Sequence, residues 1–162
     1  MKNSIQIPVA LLALALALAG CATPTRPTVP PPVSEPSRSP DSWPRSASEQ
    51  SGPAVLALLE QAEIEMRAGA HTRAIAKLEN ALRIESRNPF VWQRLASANL
   101  LEGRSEQAES LALRSISLAR GNPWLGLVSW RVIAESRRSR GDAIGAEAAE
   151  EKVTALEEQL DR

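Results

Sequence analysis

Hydrophobic and polar positions divide the chain into three regimes. Residues 5 to 19, IQIPVALLALALALA, are apolar almost throughout, and Lys2 is the only charge before them. A positive start followed by such a run is the pattern of a secretory signal peptide. The alternative, a short transmembrane anchor, is disfavoured by length, because a spanning helix needs ~20 apolar residues. Residues 22 to 53 are polar and hold nine of the chain's twelve prolines. Too few apolar side chains are present to offset the entropy of ordering, so this stretch is expected to be an unfolded linker, stiffened toward polyproline II. From residue 54 onward alanine, leucine, glutamate and arginine dominate, all strong helix formers. Near the end Val153, Leu156 and Leu160 make one apolar stripe, with the charges largely on other faces.

The third regime repeats itself. GAHTRAIAKLENAL begins at Gly69, GRSEQAESLALRSI at Gly103 and GDAIGAEAAEEKVT at Gly141. The glycines align, and so do Ala74, Ala108 and Ala146, five residues after each. The first spacing is 34 residues and the second 38, and Asn88-Pro89 and Asn122-Pro123 are also 34 apart. Small residues at fixed positions let paired helices approach closely, and each glycine ends a first helix in a left-handed turn. Asn88 and Asn122 suit helix N-caps, each with a proline in the first turn; Ser105 and Asp142 suit the starts of second helices. The pattern predicts helices at about 54–68, 72–86, 89–102, 105–119, 123–140 and 143–160. The last must cap the stack.

This pattern resembles the tetratricopeptide repeat, in which each unit is two antiparallel helices. The second unit carries Trp92, Leu95, Ala96, Gly103 and Ala108 at the family's positions; the third carries Trp130, Ile133, Ala134, Gly141 and Ala146. The first carries Leu58, Ala62, Gly69, Ala74, Leu78 and Ala81. Departures are Glu65, Asn99 and Arg137 where the family has tyrosine, Ser86 for a proline, and four extra residues within LGLV at 125 to 128. The resemblance implies an all-α solenoid of three repeats, at about 55–88, 89–122 and 123–160, in a domain spanning 54–162. It also implies a partner-binding groove lined by first helices. Carried over residue by residue, the groove is Leu56, Leu59, Glu63, Met66 and Arg67; Phe90, Gln93, Ser97, Leu100 and Leu101; and Val128, Arg131, Glu135, Arg138 and Ser139. The leucines fit core packing equally well. Phe90 is expected as the anchor, with Arg131, Glu135 and Arg138 at the surface. Trp124 is a possible extra contact, or else covers the gap left by the insertion.

Charge and candidate chemistry narrow the function. The chain has 19 basic and 19 acidic residues, so nothing electrostatic points to nucleic acid. His71, the single histidine, falls at a turn. No metal-ligand cluster, phosphate loop or catalytic constellation is legible, so neither an enzyme nor a small-molecule substrate is expected, and no metal or cofactor. The lone cysteine lies in Leu18-Ala19-Gly20-Cys21, which resembles the lipobox of bacterial lipoproteins. That resemblance implies cleavage between Gly20 and Cys21, leaving 1–20 as signal peptide and 21–53 as lipidated linker. It also implies a covalent diacylglycerol and an N-acyl chain on Cys21. Two or three chains suffice for stable anchoring where one is marginal. By the sorting rules of that class, Ala22 favours the outer membrane, facing the periplasm. A polyproline-like linker of this length reaches on the order of 100 Å. Trp43 is the odd residue in it.

A lipid anchor, a long proline-rich tether and three repeats together resemble the LpoP-type lipoprotein activators of penicillin-binding protein 1b. The partner implied is a class A penicillin-binding protein, a bifunctional peptidoglycan synthase of the inner membrane. The alternatives are a pilotin or assembly adaptor for an outer-membrane protein such as a type IV pilus secretin, and a scaffold joining several wall enzymes.

Overall fold

The computed structural model describes residues 44–162. The signal segment, the cleavage position at Gly20, the lipidation position Cys21 and the linker through Trp43 lie outside the described residues. After a 3₁₀ turn at Ala47–Glu49 come six helices: α1 Pro53–Arg67, α2 His71–Ile84, α3 Pro89–Leu101, α4 Ser105–Ala119, α5 Pro123–Ser139 and α6 Ala143–Leu160. No strand occurs among the described residues. Each helix packs on its neighbour in sequence, and α3 also packs on α1 and on α5, so first helices of successive repeats line up side by side.

Local chemistry accounts for the element boundaries. Asn88 Oδ1 accepts from the Phe90 N–H at 3.0 Å, and Asn122 Oδ1 from Trp124 and Leu125 at 3.0 and 3.3 Å. Pro89 and Pro123 occupy the first turns that follow, where a missing N–H costs nothing. Gly69, Gly103 and Gly141 turn out of the first helices with φ of 72°, 80° and 79°. Asp142 caps α6 through the Gly145 N–H at 2.9 Å. Ser105 does not cap α4. It is already helical, Arg104 holds the cap position without a side-chain bond, and the Ser105 hydroxyl pairs with that of Ser139 at 2.6 Å.

The alanines that mark the repeat are the points of closest approach. Ala62, Ala74, Ala81, Ala96 and Ala108 are fully buried, and Ala134 and Ala146 nearly so. One core cluster joins α1, α2 and α3 around Val55, Leu78 and Val91; a second joins α3 to α6 around Ala112, Ile133 and Ala149. Leu78, Val91 and Ile133 are fully buried, and each such side chain contributes about 1.5–3 kcal/mol. The insertion at 125–128 is absorbed as helix: α5 has 17 residues against 13 in α3, one extra turn. Gly126 in that turn faces α6, where a Cβ would stand 3.2 Å from Leu156 Cδ1. Val153, Leu156 and Leu160 are half-buried on the capping helix.

Candidate functional site

The first helices enclose a groove. A cavity of about 490 Å³ is walled by Leu59, Glu60 and Glu63 of α1, Phe90, Gln93 and Arg94 of α3, Trp124, Leu125, Leu127 and Val128 of α5, and Arg45, Ser46 and Ala47 ahead of α1. Its floor is apolar, where Phe90 packs with Ala119, Leu125 and Val128. Charge sits on its α1–α3 side, where Arg94 Nε lies 3.8 Å from Glu63 Oε2.

Of the residues expected to line a groove, this cavity unites Leu59, Glu63, Phe90, Gln93, Val128 and Trp124. Phe90 is its floor and not a projecting anchor, being only 8% exposed. Gln93 is buried and donates to Ser97 Oγ at 3.0 Å, so Ser97 supports the groove from one turn away. Leu56 is half-buried, and Met66 and Leu100 pack against the two core clusters. Arg67, Leu101 and Ser139 are exposed at the far ends of their helices. Arg131, Glu135 and Arg138 are at the surface but not at this cavity. Arg131 pairs with Glu157 of α6 at 2.6 Å, and Arg138 bridges Glu135 and Glu150. Those carboxylates, Glu150 first, push the Arg138 guanidinium pKa further up.

Trp124 lies in the first turn of α5, next to the four inserted residues, half-buried, with its indole N–H enclosed and unbonded to any described protein group. Sequence reasoning missed Glu60, Arg94 and Leu127. Arg94 follows Phe90 by one helical turn, and Glu60 precedes Glu63 by three residues, so shared-face spacing could have found both.

The other missed participants precede α1. The linker is expected to extend to residue 53, yet residues 44–52 lie against the repeats. Asn122 Nδ2 donates to the Pro44 carbonyl at 2.8 Å, and Asn88 Nδ2 to Ser51 Oγ at 2.7 Å. The Gly52 N–H donates to Glu85 Oε1 at 2.8 Å. The Arg45 guanidinium stacks 5.1 Å from the Trp124 ring centroid, and Ala47 packs on the Phe90 cluster. The two cap asparagines thus use their oxygens on the helix behind and their amides on this segment ahead. Each hold is modest: about 1 kcal/mol for a hydrogen bond, about 0.5–1 for an exposed cation–π contact, about 0.8 for a buried methyl. Ordering backbone costs about 1–2 kcal/mol per residue.

Among the described residues no group of three or more His, Cys, Asp or Glu is placed to hold a metal, and no helix is long and apolar enough to cross a membrane. His71 lies at the start of α2, its Nδ1 3.8 Å from Glu102. The groove thus has an apolar floor, a polar and charged wall, and a tryptophan at the rim.

The globular C-terminal domain of P. aeruginosa LpoP is similar to this chain in sequence and structure. The two share 40% identity with a TM-score of 0.62, over 65% of this chain and 99% of that domain. No protein-family model and no curated protein sequence matches.

Proposed function

The chain belongs to the LpoP family, and on that premise we propose that it binds and activates a bifunctional peptidoglycan synthase, penicillin-binding protein 1b, through its repeat domain. The observation that carries this reading is the 40% identity across practically the whole LpoP domain. The groove supports it with a place for a protein segment. Aromatic and arginine side chains dominate binding energy at interfaces, and this groove has Trp124 and Arg94 at its edges. Activation follows if the domain binds the active conformation of the synthase more tightly than the inactive one; a ligand shifts an equilibrium only by such a difference.

The rest of the chain fits that role. The lipobox-like Leu18-Ala19-Gly20-Cys21 would anchor the protein by acyl chains on Cys21 to the outer membrane, periplasmic face. The proline-rich tether would carry the domain across the wall to an inner-membrane enzyme. The test is reconstitution of the purified chain with penicillin-binding protein 1b from the same organism, following glycan polymerisation and crosslinking. Stimulation is expected, and is expected to fall at least about tenfold in Trp124→Ala or Arg94→Glu, as for the tryptophan and arginine side chains that carry interface energy. Stimulation that survives both substitutions would move the contact off the groove. Absence of binding and stimulation would favour a local outer-membrane partner such as a secretin.

A further inference from the structure

The chain itself already covers part of the groove. Pro44 reaches the rim at the start of the third repeat, Arg45 lies over Trp124, Ala47 enters the Phe90–Leu125–Val128 cluster, and Ser51 returns to the start of the second repeat. The segment therefore runs backwards along the repeats, hung on two asparagines 34 residues apart. Beyond the Gly52 N–H bond to Glu85, several of its bonds are internal and exposed: the Arg45 N–H to Glu49, and Ser46 to Ser48 and Glu49. It is loosely packed on both sides. The groove cavity lies on one side, and a second cavity of about 420 Å³ opens between Pro44 and Gln50 and the residues from Ser117 to Asn122. Both are open to solvent, and Arg45, Ser46, Ser48, Glu49 and Gln50 are exposed.

We propose that Pro44–Ala47 is a removable cover of the groove, an internal ligand that competes with the partner for Trp124 and the Phe90 cluster. This rests on the groove being the partner's site. The cover also shows what the groove accepts: a backbone carbonyl at Asn122 Nδ2, a cation over the indole, and a small side chain on the apolar floor. A partner segment with those three features displaces it. The apparent affinity for the partner is lowered by the fraction of molecules in which the cover is closed.

The two functions of Asn122 can be separated. Asn122→Asp keeps an oxygen for the Trp124 and Leu125 N–H groups, and aspartate caps helices as well as asparagine does. It replaces the amide donor with an acceptor facing the Pro44 carbonyl. Arg45→Ser is combined with it so that the new carboxylate gains no neighbouring cation. In the full chain, this double variant is expected to unfold at nearly the wild-type temperature while the amides of residues 45–51 exchange hydrogen faster. Its affinity for penicillin-binding protein 1b is expected to rise about three- to tenfold. Equal exchange in the two chains would overturn the seat. Faster exchange with unchanged or weaker affinity would overturn the competition. If neither chain binds the synthase, the proposed function fails, and anilinonaphthalene sulfonate decides the cover. Brighter dye fluorescence in the double variant supports an uncovered apolar floor, and equal fluorescence overturns it.

Discussion

Replacing Phe90 by alanine removes a side chain that is 8% exposed and seated against Ala119 and Leu125. The expected loss of stability is about 3–5 kcal/mol, as for large-to-small changes in cores, measurable by urea unfolding. Loss of partner binding in that variant would therefore report damage to the floor of the groove. Trp124, half-buried at the rim, is the better probe of contact. Asn122→Ala removes the acceptor for two backbone N–H groups as well as the hold on Pro44. It is expected to cost about 1–2 kcal/mol by the same measurement. The residues standing where the tetratricopeptide family has tyrosine each found another bond. Glu65 pairs with Arg73 at 2.8 Å, Asn99 donates to the Leu95 carbonyl, and Arg137 reaches Glu109 of α4 and the Gly145 carbonyl of α6.

Among the elements, α5 and α6 meet at Gly126. Gly126→Ala places a methyl 3.2 Å from Leu156 Cδ1, the free end of a flexible side chain. Helix propensity returns up to about 1 kcal/mol, so thermal unfolding should move little. Gly126→Leu cannot be accommodated that way and is expected to cost about 1–3 kcal/mol by overpacking. The helices themselves were legible because small residues and glycines recur at fixed spacing, and every predicted helix end falls within two residues of the observed one. The groove was only half legible. Repeat spacing says which helical face is concave, but not that Glu157 and Glu150 on the last helix engage Arg131 and Arg138. Residues 44–52 read as linker because the groups that hold them are distant: Asn122 lies 78 residues beyond Pro44. No local pattern encodes such a bond.

At the scale of the molecule, three repeats are near the minimum that encloses a continuous core, and α6 closes one end. The proposed work of the tether is reach. Deleting residues 24 to 40 leaves the cover and all six helices untouched. The shortened chain is expected to keep its melting temperature and to stimulate the purified synthase as before. In cells it is expected to fail, because 17 of the 22 residues between Cys21 and Pro44 are gone, roughly three-quarters of a ~70 Å reach. Full activity in cells would show that the partner lies close to the anchor.

The bond between Asn122 and the Pro44 carbonyl also decides where force enters the domain. A pull transmitted to Pro44 would load the Asn122 hydrogen bond and the Arg45 contacts before it reaches α1. The segment would then peel one contact at a time, from the third repeat toward the second, while the helices stay folded. A taut tether would bare the groove and a slack one would let it close, so the distance between anchor and domain would itself set how readily the partner is received.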